Sequence, residues 1–132
     1  PDRVDDLDRD RQGLLGRARR STRLDERGLA TVGRIDVLLD DLLIRLLEGD
    51  LEPDAAYLVH ATVTRYLPDT LEPFLALDDP HTLVRSRPAV VEVADQLATI
   101  EIGLADMAGR PRQAHPQTRL LLQGAFLRAK FG

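Results

Sequence analysis

Apolar residues along this chain recur every three or four positions, with no stretch of strict alternation, which is the pattern of helices rather than strands. From Leu24 to Glu48, Val32, Ile35, Leu39, Leu42 and Leu46 step by three and four. Leu38, Leu43 and Leu47 widen that stripe until it needs at least two neighbours. Gly49 is placed to supply the left-handed residue that ends this helix, and Pro53 lies just beyond it. A second strong helix is predicted from Ala89 to Ala108, where Val93, Leu97, Ile100, Leu104 and Met107 form the main stripe. Val91, Ala94, Ala98, Ile102 and Ala105 form a smaller one, so this helix should be central, and Gly109 should end it. Arg110–Pro116 reads as a loop holding His115, to which no role is assigned. Gln117–Phe131 reads as the closing helix, with Leu120, Leu127 and Phe131 on one face and Leu121, Leu122 and Phe126 beside it.

Between these helices lies Asp54–Leu77, the stretch around which the rest is expected to be organised. It carries both tyrosines, Phe74 and two prolines. Val59, Val63, Tyr66 and Leu67 predict an amphipathic helix. Pro68 then removes the donor that would reach the Thr64 carbonyl, so the helix should kink or stop, with Asp69 or Thr70 restarting it and Glu72 returning a capping bond. Tyr66 is expected to pack inside the bundle beside the kink. Asp78-Asp79-Pro80-His81 reads as a turn, and Thr82–Pro88 as a linker leading to a helix with Pro88 in its first turn.

The first 23 residues alternate acid and base and hold few sizeable apolar positions, chiefly Leu7, Leu14, Leu15 and Ala18. Gly13 and Gly16 each weaken a helix by about 1 kcal/mol. A charged, frayed N-terminal helical segment over residues 1–23 is therefore expected, followed by a bundle domain over 24–132. The fold class is all-α: an antiparallel bundle of four to five helices with a proline-kinked central element.

Composition narrows the chemistry. The 132 residues fit one domain, and the absence of cysteine excludes disulfides, thiolate metal sites and a cysteine nucleophile. With no tryptophan and few aromatics, the core must come from Leu, Val, Ile and Ala. The net charge is −4, from 18 basic and 22 acidic residues, and only Lys130 of the basic set is lysine. Such a chain is a poor general nucleic-acid binder, since phosphate affinity comes from net positive charge. No apolar run approaches the roughly 20 residues that span a bilayer. The first residue is proline, so the chain is read as a fragment from which an anchor could be missing.

Tyr66-Leu67-Pro68-Asp69-Thr70-Leu71, then Phe74-Leu75-Ala76-Leu77, a spacer, a helix of about five turns and a closing helix from Leu120 to Phe131 form a recognisable order. It resembles the cytoplasmic helical region of the 5-bromo-4-chloroindolyl phosphate hydrolysis (XpaC-like) family, over the second half of the chain. The resemblance implies a helical cytoplasmic region at or near the inner membrane face. Members often carry membrane-spanning helices upstream, so membrane contact would require a segment outside this sequence. No catalytic residues come with the resemblance.

Candidate chemistry is sparse. No Glu-x-x-His or paired histidine lies on one helix face, so no metal and no cofactor are expected. Asp78-Asp79-Pro80-His81 gives an Asp-x-x-His pair, but Pro80 breaks the helix that would bring Asp78 and His81 together, so it suits a capped turn more than a metal or phosphate contact. His60 suits a boundary position more than a ligand contact. The pairs Asp36 with Asp40 and Glu92 with Asp95 suit solvated faces more than acid–base work. Neither serine lies in a nucleophile motif, and no phosphate loop is present. The one basic cluster, Arg17, Arg19, Arg20, Arg23 and Arg27, has acids on both sides and no interleaved aromatics.

Two functional classes follow. The first is a non-enzymatic interaction or assembly module, self-associating or docking a protein partner, through Leu38, Leu42 and Leu46 with Arg17 and Arg20. The second is a small-molecule sensor whose pocket at the Pro68 kink is lined by Tyr57, His60, Tyr66 and Phe74. No specific nucleic acid partner is expected. Titration with duplex DNA at physiological salt should show only weak, salt-sensitive binding; sub-micromolar, sequence-dependent affinity would reverse that expectation.

Overall fold

A computed structural model describes residues 2–112 and 116–132. His115 and part of the expected Arg110–Pro116 loop lie outside the described residues. The elements run α1 (Asp2–Arg20), α2 (Glu26–Leu47), α3 (Pro53–Ala61), a wide π-helical turn (Thr62–Tyr66), α4 (Leu67–Leu75), β1 (Leu83–Val84), β2 (Arg87–Pro88), α5 (Ala89–Ala108) and α6 (Pro116–Phe131). The fold is all-α, and among the described residues the two-residue strands are its only sheet. Since α3, the wide turn and α4 join without a break, the described residues form five helices.

Local sequence explains the ends. The Asp25 carboxylate accepts the Gly28 N–H at 2.8 Å and caps α2. At its other end Gly49 takes φ of +70°. The Gly49 N–H then donates to the Leu46 carbonyl (3.2 Å) and that of Asp50 to Arg45 (2.8 Å), the paired bonds of a left-handed glycine stop. The glycine stop was expected from the sequence, as were the bounds of α5.

The bent helix behaves differently from expectation. Its buried positions include Ala55, Val59, Val63, Leu67 and Leu71, one every four residues. At 3.6 residues per turn each such step drifts about 40° around the axis, so four steps would carry the stripe off its neighbours. The wide turn absorbs the excess: the Leu67 N–H donates back five residues to the Thr62 carbonyl. It also accommodates Pro68, which cannot donate, so the helix neither stops nor needs a restart at Asp69 or Thr70. The threonine hydroxyls add bonds of their own, Thr62 to the Leu58 carbonyl at 2.7 Å and Thr64 to that of His60 at 2.8 Å.

From α1 through α5 each long helix reverses the one before it, so the central pair, α2 and α5, shares a direction. Arg27 pairs with Asp95 at 2.7 Å, Arg34 with Glu101 at 2.8 Å, and Arg45 donates to the Ala108 carbonyl at 3.0 Å. These contacts advance together along both helices, so α2 and α5 lie parallel. The core between them includes Val32, Ile35, Leu39, Leu42, Leu97 and Leu104, with the bent helix and α1 packed alongside.

The N-terminal segment is corrected. Leu7, Leu14, Leu15 and Ala18 of α1 are buried in the same core as the rest, so α1 belongs to the bundle. Arg11, only 5% exposed, donates to the Asp36 carbonyl (3.1 Å) and carboxylate (2.9 Å) and also to Asp8. Arg19 meets the other Asp36 oxygen at 3.0 Å. Arg11, Arg17 and Arg19 thus brace α1 on other helices, whereas Arg9 pairs with Asp6 within α1.

Tyr66 is corrected as well: it is 40% exposed, with the Arg65 guanidinium 5.4 Å from its ring centre. Leu67, beside it, is fully buried. Tyr66→Ala should therefore cost about 1 kcal/mol or less, the scale of an exposed cation–π contact. Leu67→Ala should cost roughly 2–5 kcal/mol. Urea unfolding of both variants checks this, and equal losses would show that the ring carries core packing after all.

Candidate functional site

The residues expected to line a pocket are not brought together. Tyr57 is 60% exposed, His60 is also exposed, and Arg65 reaches the Tyr57 hydroxyl at 3.0 Å on the outer surface. Phe74 is buried and lines a separate hollow of about 210 Å³ near the β-turn. Pro68 faces a polar recess under α1, with Arg9, Asp10 and Arg17. Tyr66 alone of the four borders the principal groove.

That groove, of about 520 Å³, runs between the bent helix and α5. Its apolar lining is Leu58, Ile100, Leu104 and Met107, and its polar lining is Thr62, Tyr66, Asp69, Thr70, Gln96 and Thr99. Gly103 leaves a gap in the wall, since a Cβ there would meet nothing within 4 Å. The expected kink and the observed groove coincide because the wide turn supplies Thr62 and Tyr66. A sequence signal existed in the step of four from Leu58 through Thr62 to Tyr66.

The proposed interaction face is also used differently. Leu42 is fully buried, and Leu38 and Leu46 are partly buried against the core, so that stripe is occupied within the chain. The basic cluster is largely neutralised: Arg17 meets Glu72 at 3.4 Å, Arg19 meets Asp36, Arg27 meets Asp95, and Arg23 donates to the Leu77 carbonyl. Arg20 remains exposed without an ion pair among the described residues. Asp36 and Asp40 face Arg11, at 2.9 and 3.7 Å; Asp36 is partly buried there, whereas Asp40 lies on a solvated surface.

Sequence reasoning missed where apolar surface is left uncovered. On α6, Leu120, Leu121, Leu122, Phe126, Leu127 and Phe131 are between 41% and 81% exposed. The expected closing helix does not close the bundle. Low amphipathicity was the available signal: two apolar strips, separated by Arg128 on one side and Gln123 and Lys130 on the other, cannot both face one core.

The connection before α5 is a tight hairpin rather than an irregular linker. Arg85 and Ser86 adopt φ of +51° and +68° between the paired strands, positions usually taken by Asn and Gly. Ahead of it, Asp79 accepts the His81 N–H at 2.8 Å, as in a side-chain-closed turn. That bond, with the His81 side chain and distant Arg23, holds the Asp79 carboxyl below its ordinary range despite some desolvation. Among the described residues no three His, Cys, Asp or Glu side chains gather as metal ligands. Nor is any helix among them long and apolar enough to cross a membrane. No protein family, no curated protein and no solved structure matches this chain.

Asp95 shows what the acidic pairs do. Hydrogen bonds from Arg87 and then Arg27 hold its carboxyl below the usual carboxylate range, whereas a general acid working at neutral pH needs the opposite shift. Because the folded value is depressed, the stabilisation is present above the unfolded value near 3.9 and is lost as pH falls through the folded one. Asp95→Asn should therefore destabilise the protein at neutral pH, and the gap to wild type should close in acid. Urea midpoints at about pH 7 and about pH 2 test this; a gap that persists unchanged in acid would show that the loss is steric.

Proposed function

We propose that this chain is a non-enzymatic helical assembly module that self-associates, acting at or near the cytoplasmic membrane face in keeping with its resemblance to the XpaC-like helical region. One observation carries the reading: six large apolar side chains stay exposed on the 16-residue α6 while the rest of the bundle packs a continuous core. A helix of that length is marginal in water by itself, so its apolar strips call for a cover. Full burial returns roughly 1.5–3 kcal/mol for each such side chain. A symmetric pair that covers one strip of three on each chain covers six, roughly 9–18 kcal/mol against about 4–15 kcal/mol of freedom lost on association, so the two are of the same order and pairing is within reach.

Light scattering across a concentration series tests this. The wild type should be dimeric or larger, and the double substitution Leu120→Glu with Leu127→Glu should shift it to monomer without lowering the melting temperature of the bundle. A wild type that stays monomeric into the millimolar range would sink the reading.

A second reading, a small-molecule sensor, draws on the groove beside the wide turn. Its volume of about 520 Å³ lies within the range of ligand sites, and its mixed apolar and polar lining suits a small amphipathic molecule.

A further inference from the structure

We infer that the groove between the bent helix and α5 receives the α6 helix of a second copy, so that two chains exchange their α6 helices. This rests on the self-association proposed above and names the surface that α6 meets.

Four features of the two surfaces correspond. On α5, Gln96, Ile100, Gly103 and Met107 run along the groove with steps of four, three and four. On α6, Leu120, Gly124, Leu127 and Phe131 make a stripe with the same steps. Each stripe therefore covers about 16 Å of helix axis. Each also contains a mid-helix glycine, which weakens its helix relative to alanine. Neither glycine is demanded by its own surroundings: a Cβ on Gly103 would meet nothing, and one on Gly124 would meet only the flexible end of Arg128, at 3.4 Å. Two such gaps let helix axes approach closely. Charge agrees too. Arg128 and Lys130 flank the α6 stripe, and Asp69 lines the groove, all three without an ion pair among the described residues. In contrast, Arg27, Arg34, Arg87 and Arg112 each meet a carboxylate within 3.0 Å.

The occupant is a second copy because α6 does not fill the groove of its own chain: among the described residues none from α6 lines it, and Leu120, Leu127 and Phe131 stay between 41% and 81% exposed.

The chain has no cysteine, so introduced thiols report directly. One preparation carries Gly103→Cys and a second carries Gly124→Cys. Mixed and oxidised, they should give an interchain cross-linked pair of one chain from each preparation, which neither gives alone. Cross-linking of Gly124→Cys chains only to each other would show α6 pairing with α6 and overturn the inference. So would an internal cross-link within a chain carrying both changes, combined with no cross-link in the mixture, because α6 would then fold onto its own groove. Complete failure to cross-link overturns it as well. An independent variant, Gly103→Leu, fills the groove at a position with open space. It should leave the melting temperature of the monomer intact and raise the dimer dissociation constant at least about tenfold. Unchanged dimerisation would count against the inference. A wild type that is dimeric by mass but fails these tests sinks this surface alone, while a monomeric wild type sinks the assembly reading with it.

Discussion

The helix from Pro53 to Leu75 must keep a buried residue every four positions on one face, and an ordinary α-helix cannot do that over its length. The wide turn at Thr62–Tyr66 resolves the conflict, and much else depends on it. It holds Val59 above it and Leu67 and Leu71 below it in one core. It also gives Pro68 a place in a continuous helix, because the ladder is already stepping by five when the missing donor arrives. The same widening sets the wall of the groove against α5, so packing register and the principal concave surface have one cause.

Around this helix, buried guanidinium groups tie elements together that apolar contact alone would leave free to slide. Arg11 fixes α1 on α2 through Asp36 and Asp8. Arg45, only 7% exposed, donates to the carbonyls of Ala108 and Arg110 at 3.0 Å each and so satisfies the end of α5 from the side of α2. Both rely on the planar fork of arginine, which can meet two acceptors at once where lysine offers a point charge. The abundance of arginine in this chain therefore has a structural use at several positions, whatever its origin in the genome.

The bundle is closed where α2, α5, α1 and the bent helix meet, and open in two places: the groove and the strips of α6. Each is an apolar surface without a partner in a single copy. The exchange of α6 inferred above would bring the two together, with Arg128 and Lys130 near Asp69. The small-molecule reading and the exchange of α6 draw on the same groove, so they compete for one space.

Much of this was legible from local pattern. The helices α2 and α5 follow from three-and-four spacing, and the stop of α2 from the left-handed conformation that Gly49 adopts. A core of aliphatic residues follows from composition. Three things were decided by tertiary contact. The charged α1 docks because its few leucines fall on one line and its arginines find acids on another helix, which no local count of charge can show. The π-helical turn arises because neighbours on both sides demand a period of four, whereas Pro68 alone suggested only a break. The hairpin at Arg85-Ser86 carries none of the usual turn residues, and its left-handed pair is held by bonds from Ala89 to the Thr82 carbonyl (2.7 Å) and from Val90 to that of Pro80 (2.8 Å). Sequence thus determined which segments are helical and which faces are apolar. Which apolar face goes inside is a competition among helices for the same core, and Leu42 is buried while the strips of α6 are exposed because α2 alone could touch α1, the bent helix and α5 together.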